Sequence, residues 1–211
     1  LGHGKDRYLR ALVLVDLQND FCPGGALAVP EGDVVVPIAN ALQRRFDLIV
    51  ATQDWHPPDH LSFAVNHGKS PGELIELNGQ PQVLRPVHCV QETEGAAFVS
   101  GLDISGVAHI VQKGMVREVD SYSGFFDNDH RTATGLGDYL TASGVTEVYV
   151  CGLATDYCVK FTALDARRLG FETFLIEDAS RGVELNAGDV QRAIVEMKAA
   201  GVEVVQSREL L

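Results

Sequence analysis

The sequence predicts an α/β domain spanning residues 1–211, a three-layer α/β/α arrangement around a central, mainly parallel six-stranded sheet. Three observations carry this. Short β-branched apolar runs alternate with longer segments of helical apolar spacing. Several helical segments stop at a glycine, and a new strand begins at once. The repeated unit of strand, helix, glycine and strand, with short connections, builds a parallel sheet covered on both faces. A chain of 211 residues, 45% apolar and 22% charged, suits one such core and needs no disulfide or metal to fold.

Ala11 to Val15 is a β-branched run closed by Asp16 and reads as a short buried strand. Asp33 to Phe46 places Val34, Ile38, Ala41 and Leu42 at helical spacing. Pro37 falls near its first turn, where a missing amide hydrogen matters least. Asp47 to Thr52 is a second strand. From Gln53 to Gln91 the periodicity fades, and this excursion holds five of the eight prolines and four of the seven histidines. Such a stretch inside a compact domain is usually functional. Ala108 to Val111 is a third strand. Thr132 to Ser143 is a helix ended by Gly144, and Val145 to Cys151 a fourth strand. Asp156 to Leu169 is a helix ended by Gly170, with Val159, Ala163, Ala166 and Leu169 on one face. Phe171 to Ile176 is a fifth strand, Asp189 to Ala200 a helix before Gly201, and Val202 to Val205 a sixth strand.

Composition removes several function classes. Lys and Arg number 17 against 29 Asp and Glu, a formal charge of −12. The basic stretches at Lys5 to Arg10, Arg44-Arg45 and Arg167-Arg168 form no stripe, which argues against a nucleic-acid binder. No apolar run approaches the roughly 18 residues of a membrane span, and polar Leu1 to Arg10 is unlike a signal peptide. Cys22, Cys89, Cys151 and Cys158 are too scattered for a disulfide framework, and no CxxC occurs. A reducing, cytoplasmic setting follows. No GxGxxG follows the first strand, and GxxxxGK and GxSxG are absent, which weakens nucleotide and serine-hydrolase readings.

The carboxyl ends of parallel strands line the ligand crevice, and reactive residues follow the strands directly. Asp16, Asp54 with His56, Lys113, and Gly152 to Cys158 occupy these places. Asp54 and His56 share one turn, with His60 four residues on and His88 beyond the excursion. An aspartate with two or three imidazoles, completed by water, suits one zinc, iron or manganese ion in an open catalytic site. The plainer alternative is a set of surface histidines in a polar loop. Asp59 and His67 read as ordinary loop residues. Cys158 falls in the first turn of a helix, where the dipole and free amides favour a thiolate. Lys113 offers a cationic partner and Asp16 a proton acceptor. The plainer alternative is a small buried hydrophobe, which also describes Cys22, Cys89 and Cys151.

Six motifs combine over nearly the whole chain: VDLQNDFCPGGAL at Val15 to Leu27, TQDWHPPDHLSF at Thr52 to Phe63, PVHCVQ at Pro86 to Gln91, Lys113-Gly114, DSYSGF at Asp120 to Phe125 and CGLATDYCV at Cys151 to Val159. This combination resembles the nicotinamidases of the isochorismatase-like cysteine hydrolase superfamily. The resemblance implies the isochorismatase-like hydrolase fold. It also implies hydrolysis of nicotinamide, and of pyrazinamide, through a cysteine thioester. It implies a triad of Asp16, Lys113 and Cys158 and one divalent metal ion on Asp54, His56 and His88. It further implies an oxyanion hole from the amides of Ala154 and Cys158, with a cis peptide at Leu153-Ala154. Phe21, Leu27, His60, Arg85, Tyr122, Leu153, Ala154 and Tyr157 match substrate-pocket positions, and His60 is a ligand in some members and only a neighbour in others. The rival readings are a related cysteine amidase for another small amide and a catalytically silent metal-dependent binding protein.

One position departs from the family pattern. Members usually carry Trp just before the Pro-x-His-Cys stretch, as one face of an aromatic clamp, and this chain has Arg85 there. The guanidinium either stacks on the substrate ring in place of the indole, alters substrate preference, or points to solvent. Trp55, the one tryptophan of the chain, is not an obvious replacement.

Overall fold

The computed structural model describes residues 9–211, so Leu1 to Arg10 with its basic run lies outside them apart from Leu9 and Arg10. In chain order the strands are β1 (Leu9–Val15), β2 (Leu48–Asp54), β3 (Leu74–Leu77), β4 (Gln80–Val83), β5 (His109–Lys113), β6 (Val145–Leu153), β7 (Glu172–Arg181) and β8 (Glu203–Val205). The helices are α1 (Val35–Gln43), α2 (Leu136–Ala142), α3 (Lys160–Arg168) and α4 (Asp189–Ala199). Six strands form one parallel sheet in the order β5-β2-β1-β6-β7-β8. This is the predicted architecture, and each predicted strand is present.

Alternation along β1 divides the core. Ala11, Val13 and Val15 pack with Leu136, Leu140, Ala163 and Met197 of α2, α3 and α4. Leu12 and Leu14 pack with Val35, Val36, Ala39 and Leu42 of α1 on the other face. Strands buried on both faces read as continuous apolar runs, as β1 does. No helix among the described residues is long and apolar enough to cross a membrane.

Differences from expectation lie at element ends. The Asp33 to Phe46 helix is a 3₁₀ turn at Gly32–Val34 followed by α1. The Thr132 to Ser143 helix starts only at Leu136, because Gly135 takes a left-handed φ of 91°. The helix predicted from Asp156 opens as a π-type turn, Thr155–Val159, before α3, and Leu169 is solvent-exposed rather than on the buried face. The excursion at 53–91 contains an antiparallel hairpin, β3 with β4, that its faded periodicity hid. The Asn78-Gly79 dipeptide was the available signal: both residues have positive φ, as two-residue hairpin turns require.

The sheet order places the site. From β1 the chain builds outward to β2 and β5, then returns to lay β6 on the other side of β1. The crevice at such a reversal, at the carboxyl ends of the strands, is where α/β sheets bind ligands. Val15 is in register with both Thr52 and Gly152, and Asp54 with Lys113. Four strand ends therefore lie side by side, with β2 running two residues past the level of Val15. Gly152 permits this closeness, since a Cβ there would lie 2.2 Å from the Val15 carbonyl oxygen.

Candidate active site

Lys113 ends β5 and is fully buried. Its ammonium lies 3.0 Å from Asp16 Oδ2, 2.5 Å from Asp54 Oδ1 and 3.6 Å from Cys158 Sγ, and donates to the Ser121 carbonyl at 2.9 Å. Burial works against the charge, but the Asp16 and Asp54 carboxylates hold the lysine well above its ordinary pKa. Asp16 follows β1 with a φ of 50°, and its Oδ1 accepts the Thr52 hydroxyl at 2.6 Å. Burial raises its pKa against the lowering influence of Lys113. A carboxylate poised in this way is a candidate proton acceptor.

Cys158 lies in the π-type turn after β6, and the Leu153-Ala154 peptide before that turn is cis. Asp156 fixes the turn by accepting the Val183 and Glu184 amides at 2.9 Å each. Burial pushes the Cys158 thiol well above its ordinary pKa, and Lys113 only partly offsets this. A proton acceptor beside the sulfur is therefore needed, the part that the sequence reading gives to Asp16.

Asp54, His56 and His88 bring one ligand atom each within 4.8 Å of one another. Asp54 Oδ2 is 3.4 Å from His56 Nε2 and 3.9 Å from His88 Nε2. The two imidazoles are held alike. His56 Nδ1–H donates to the Gly114 carbonyl and His88 Nδ1–H to the Pro86 carbonyl, both at 2.8 Å. Each Nε2 thus presents its lone pair, and that of His56 is buried without a hydrogen-bond partner. A backbone carbonyl on the far nitrogen is how metal-binding histidines are usually oriented. Gly114 has a φ of 68°, and a Cβ there would press on the His56 ring at 2.5 Å. The three residues fit a divalent metal ion.

His60 does not line the pocket around Cys158. It is fully buried behind His56, with ring centroids 4.4 Å apart. Its Nε2 lies 3.1 Å from the Val119 carbonyl and its Nδ1 2.7 Å from Ser62 Oγ. With Nε2–H donating and Nδ1 accepting, both nitrogens are engaged. His60, His56 and Asp120 form a second group close enough to share an ion, but His60 offers it no free lone pair in this arrangement.

Phe21, Leu27, Arg85, Tyr122, Leu153, Ala154 and Tyr157 line one pocket with Asp54, His88 and Cys158. The Arg85 guanidinium carbon lies 4.8 Å from the Tyr157 ring centroid. Arg85 therefore faces the pocket rather than solvent, and Trp55 does not line it. Sequence reasoning missed Val29, Asp120 and Val183 on the wall and Phe63, whose ring packs against His56, His60 and His88. Of these, Asp120 lies in the DSYSGF motif and Phe63 ends the TQDWHPPDHLSF motif. Asp59 is a loop residue as expected, paired with Arg117, whereas His67 ends a 3₁₀ turn at Ala64–His67 and its Nε2 bonds the Leu61 carbonyl.

Residues 10–209 match the isochorismatase domain. The nicotinamidase of Escherichia coli is 52% identical over 196 residues, covering 91% of this chain and 92% of that protein. The structure of a nicotinamidase/pyrazinamidase from Acinetobacter baumanii superimposes with a TM-score of 0.94 at 49% identity, covering 98% of this chain and 100% of that one. A zinc-bound pyrazinamidase from Pyrococcus horikoshii does so with a TM-score of 0.78 at 43% identity, over 93% and 98% of the two chains. With the match running from β1 past β8 and the reactive residues gathered at the β1/β6 crevice, the chain belongs to the isochorismatase-domain family.

Proposed function

We propose that this chain is a nicotinamidase that hydrolyses nicotinamide to nicotinate and ammonia, with pyrazinamide as a second substrate. The observation that carries the reading is Lys113 meeting Asp16 and Cys158 in one buried network beside the ligand group Asp54, His56 and His88. Cys158 Sγ attacks the carboxamide carbon as its proton passes to Asp16. The oxyanion forms against the amides of Ala154 and Cys158. When the tetrahedral adduct collapses, the C–N bond breaks and Asp16 protonates the departing nitrogen, which leaves as ammonia. Asp16 then takes a proton from water as the water oxygen attacks the thioester carbon, and when the C–S bond breaks Asp16 passes that proton to the departing sulfur, which returns Cys158 as a thiol and Asp16 as a carboxylate. Lys113 keeps its charge throughout and stabilises the negative charge shared by Asp16 and Cys158.

Asp54, His56 and His88 would hold the metal, and their two-nitrogen, one-oxygen donor set suits zinc, iron or manganese. When bound, the ion supplies a Lewis acid that anchors a ring nitrogen. Phe21, Tyr122 and Tyr157 give the ring apolar walls. The four free thiols and acidic charge fit a cytoplasmic enzyme.

Asp16 must be ionised to accept the thiol proton, and burial raises its pKa. With metal occupancy held constant, kcat/KM should therefore fall with decreasing pH through an apparent pKa above the ordinary 3.8. A limb at or below that value would contradict the assignment of Asp16 as base.

Arg85 over Tyr157 favours a second reading, a related amidase with preference for another small amide. Competition among nicotinamide, pyrazinamide and an aliphatic carbamoyl amide decides between them, and equal or better turnover of the aliphatic compound would favour the second. Arg85→Trp should rebuild a clamp with Phe21 and tighten neutral nicotinamide. A stacking gain of about 0.5 to 1.5 kcal/mol corresponds to roughly 2-fold to 13-fold. Inhibition by nicotinate should weaken in parallel, because the cation that attracts its carboxylate is gone. If KM and the inhibition constant both stay within about twofold, Arg85 does not contact the ligand.

A further inference from the structure

Asp16 turns the main chain away at the end of β1, before it can pair with the last residue of β2. The side chain of Gln18 takes over that pairing. Its Oε1 accepts the Asp54 amide at 2.9 Å, and its Nε2 donates to the Asp54 carbonyl at 2.9 Å and to the Ala96 carbonyl at 2.8 Å. A carboxamide that meets both the N–H and the C=O of one residue stands in for a neighbouring peptide group. Three bonds and complete burial leave it one orientation.

Two residues further on, Asp20 acts on the other loop. Its Oδ2 accepts the Cys89 amide at 2.8 Å, and its Oδ1 accepts the Ala26 amide at 3.2 Å. Cys89 directly follows His88 and has a φ of 46°. A residue other than glycine holds that conformation only where its surroundings impose it. Neither Gln18 nor Asp20 lines the substrate pocket.

We infer that Gln18 and Asp20 are positioning residues for the metal ligands, Gln18 setting Asp54 and Asp20 setting His88 from the single turn that follows β1. This rests on the reading of Asp54 and His88 as ligands. The consequence is that ligands from two distant loops are registered against the same strand end that carries Asp16. Orienting partners of this kind are typically worth about 10-fold to 100-fold in metal affinity.

The test is zinc affinity of metal-free protein, measured by competition with a chromophoric chelator, with circular dichroism and thermal melting on the same samples. Gln18→Glu keeps the acceptor for the Asp54 amide and loses the donors for two carbonyls. Asp20→Asn keeps the shape but turns an N–H toward an amide that needs an acceptor. Both should stay folded and bind zinc about 10-fold to 100-fold more weakly. KM for nicotinamide should rise at limiting zinc, and activity should recover as zinc saturates. Asn19→Ala is the control, since the Asn19 side chain bonds the Glu94 carbonyl rather than a ligand loop. It should bind zinc within about twofold of the parent.

Zinc affinity unchanged in both Gln18→Glu and Asp20→Asn, even with a lowered melting temperature, would overturn the inference and leave a purely structural role. Equal weakening by Asn19→Ala would overturn it too. His88→Ala separates the two levels. If it binds zinc as tightly as the parent, the ligand reading fails and the inference with it. If it loses zinc while the Gln18 and Asp20 variants keep it, only the inference fails.

Discussion

Cys158→Ala should abolish measurable nicotinamide hydrolysis, a loss on the order of 10⁴-fold or more in kcat, while secondary structure and zinc content stay at parental levels. The substitution removes one buried sulfur and leaves Asp54, His56 and His88 with their own partners. Rapid quenching of the parent with substrate should trap an acyl adduct on Cys158 and on no other cysteine. Burial pushes Cys22 to about 11 and Cys151 to about 12, and it also raises Cys89. Burial raises Cys158 as well, but among the described residues it is the thiol recorded within reach of the Lys113 ammonium, at 3.6 Å. Selectivity therefore comes from the neighbouring lysine and aspartate rather than from a low resting pKa. An adduct found only on another cysteine would refute the assignment.

His56→Ala and His88→Ala should each remove most of a metal content of about one divalent ion per chain, read by elemental analysis. KM should rise on the order of 100-fold, equivalent to about 2.8 kcal/mol of lost ring anchoring. The reactive thiol should survive, because its partners Lys113 and Asp16 come from other strand ends. Slow alkylation of Cys158 at a rate near that of the parent would show this. Full activity in protein verified to be free of metal would contradict the role given to these residues.

Both predictions rest on residues that the sequence already singled out, for a physical reason. Strand ends are legible because β-branched runs stop abruptly, and a polar residue at such a stop sits at the crevice of a parallel sheet. Asp16, Asp54, Lys113 and the turn holding Cys158 were found in this way, and the motif resemblance added their roles. The hairpin of β3 and β4 is hard to read from the sequence because its strands are short and lie largely at the surface, with the polar Gln82 as their one buried residue. The Asn78-Gly79 turn was its only strong local mark.

Local pattern thus determined the parallel sheet, its helices and the set of residues at the strand ends. Four matters needed the tertiary structure. His60 and His88 are both imidazoles on loops, yet His60 is satisfied by Ser62 and Val119 while His88 aims Nε2 at Asp54. Burial raises the pKa of the Cys158 thiol against the lowering influence of Lys113. Arg85 turns over Tyr157 instead of into solvent. Asp20 grips an amide 69 residues away. Periodicity reports which side of an element meets the core. Burial depth, the direction of a lone pair and the partner of a buried amide arise only when distant segments pack together, and no residue's near neighbours in sequence encode them.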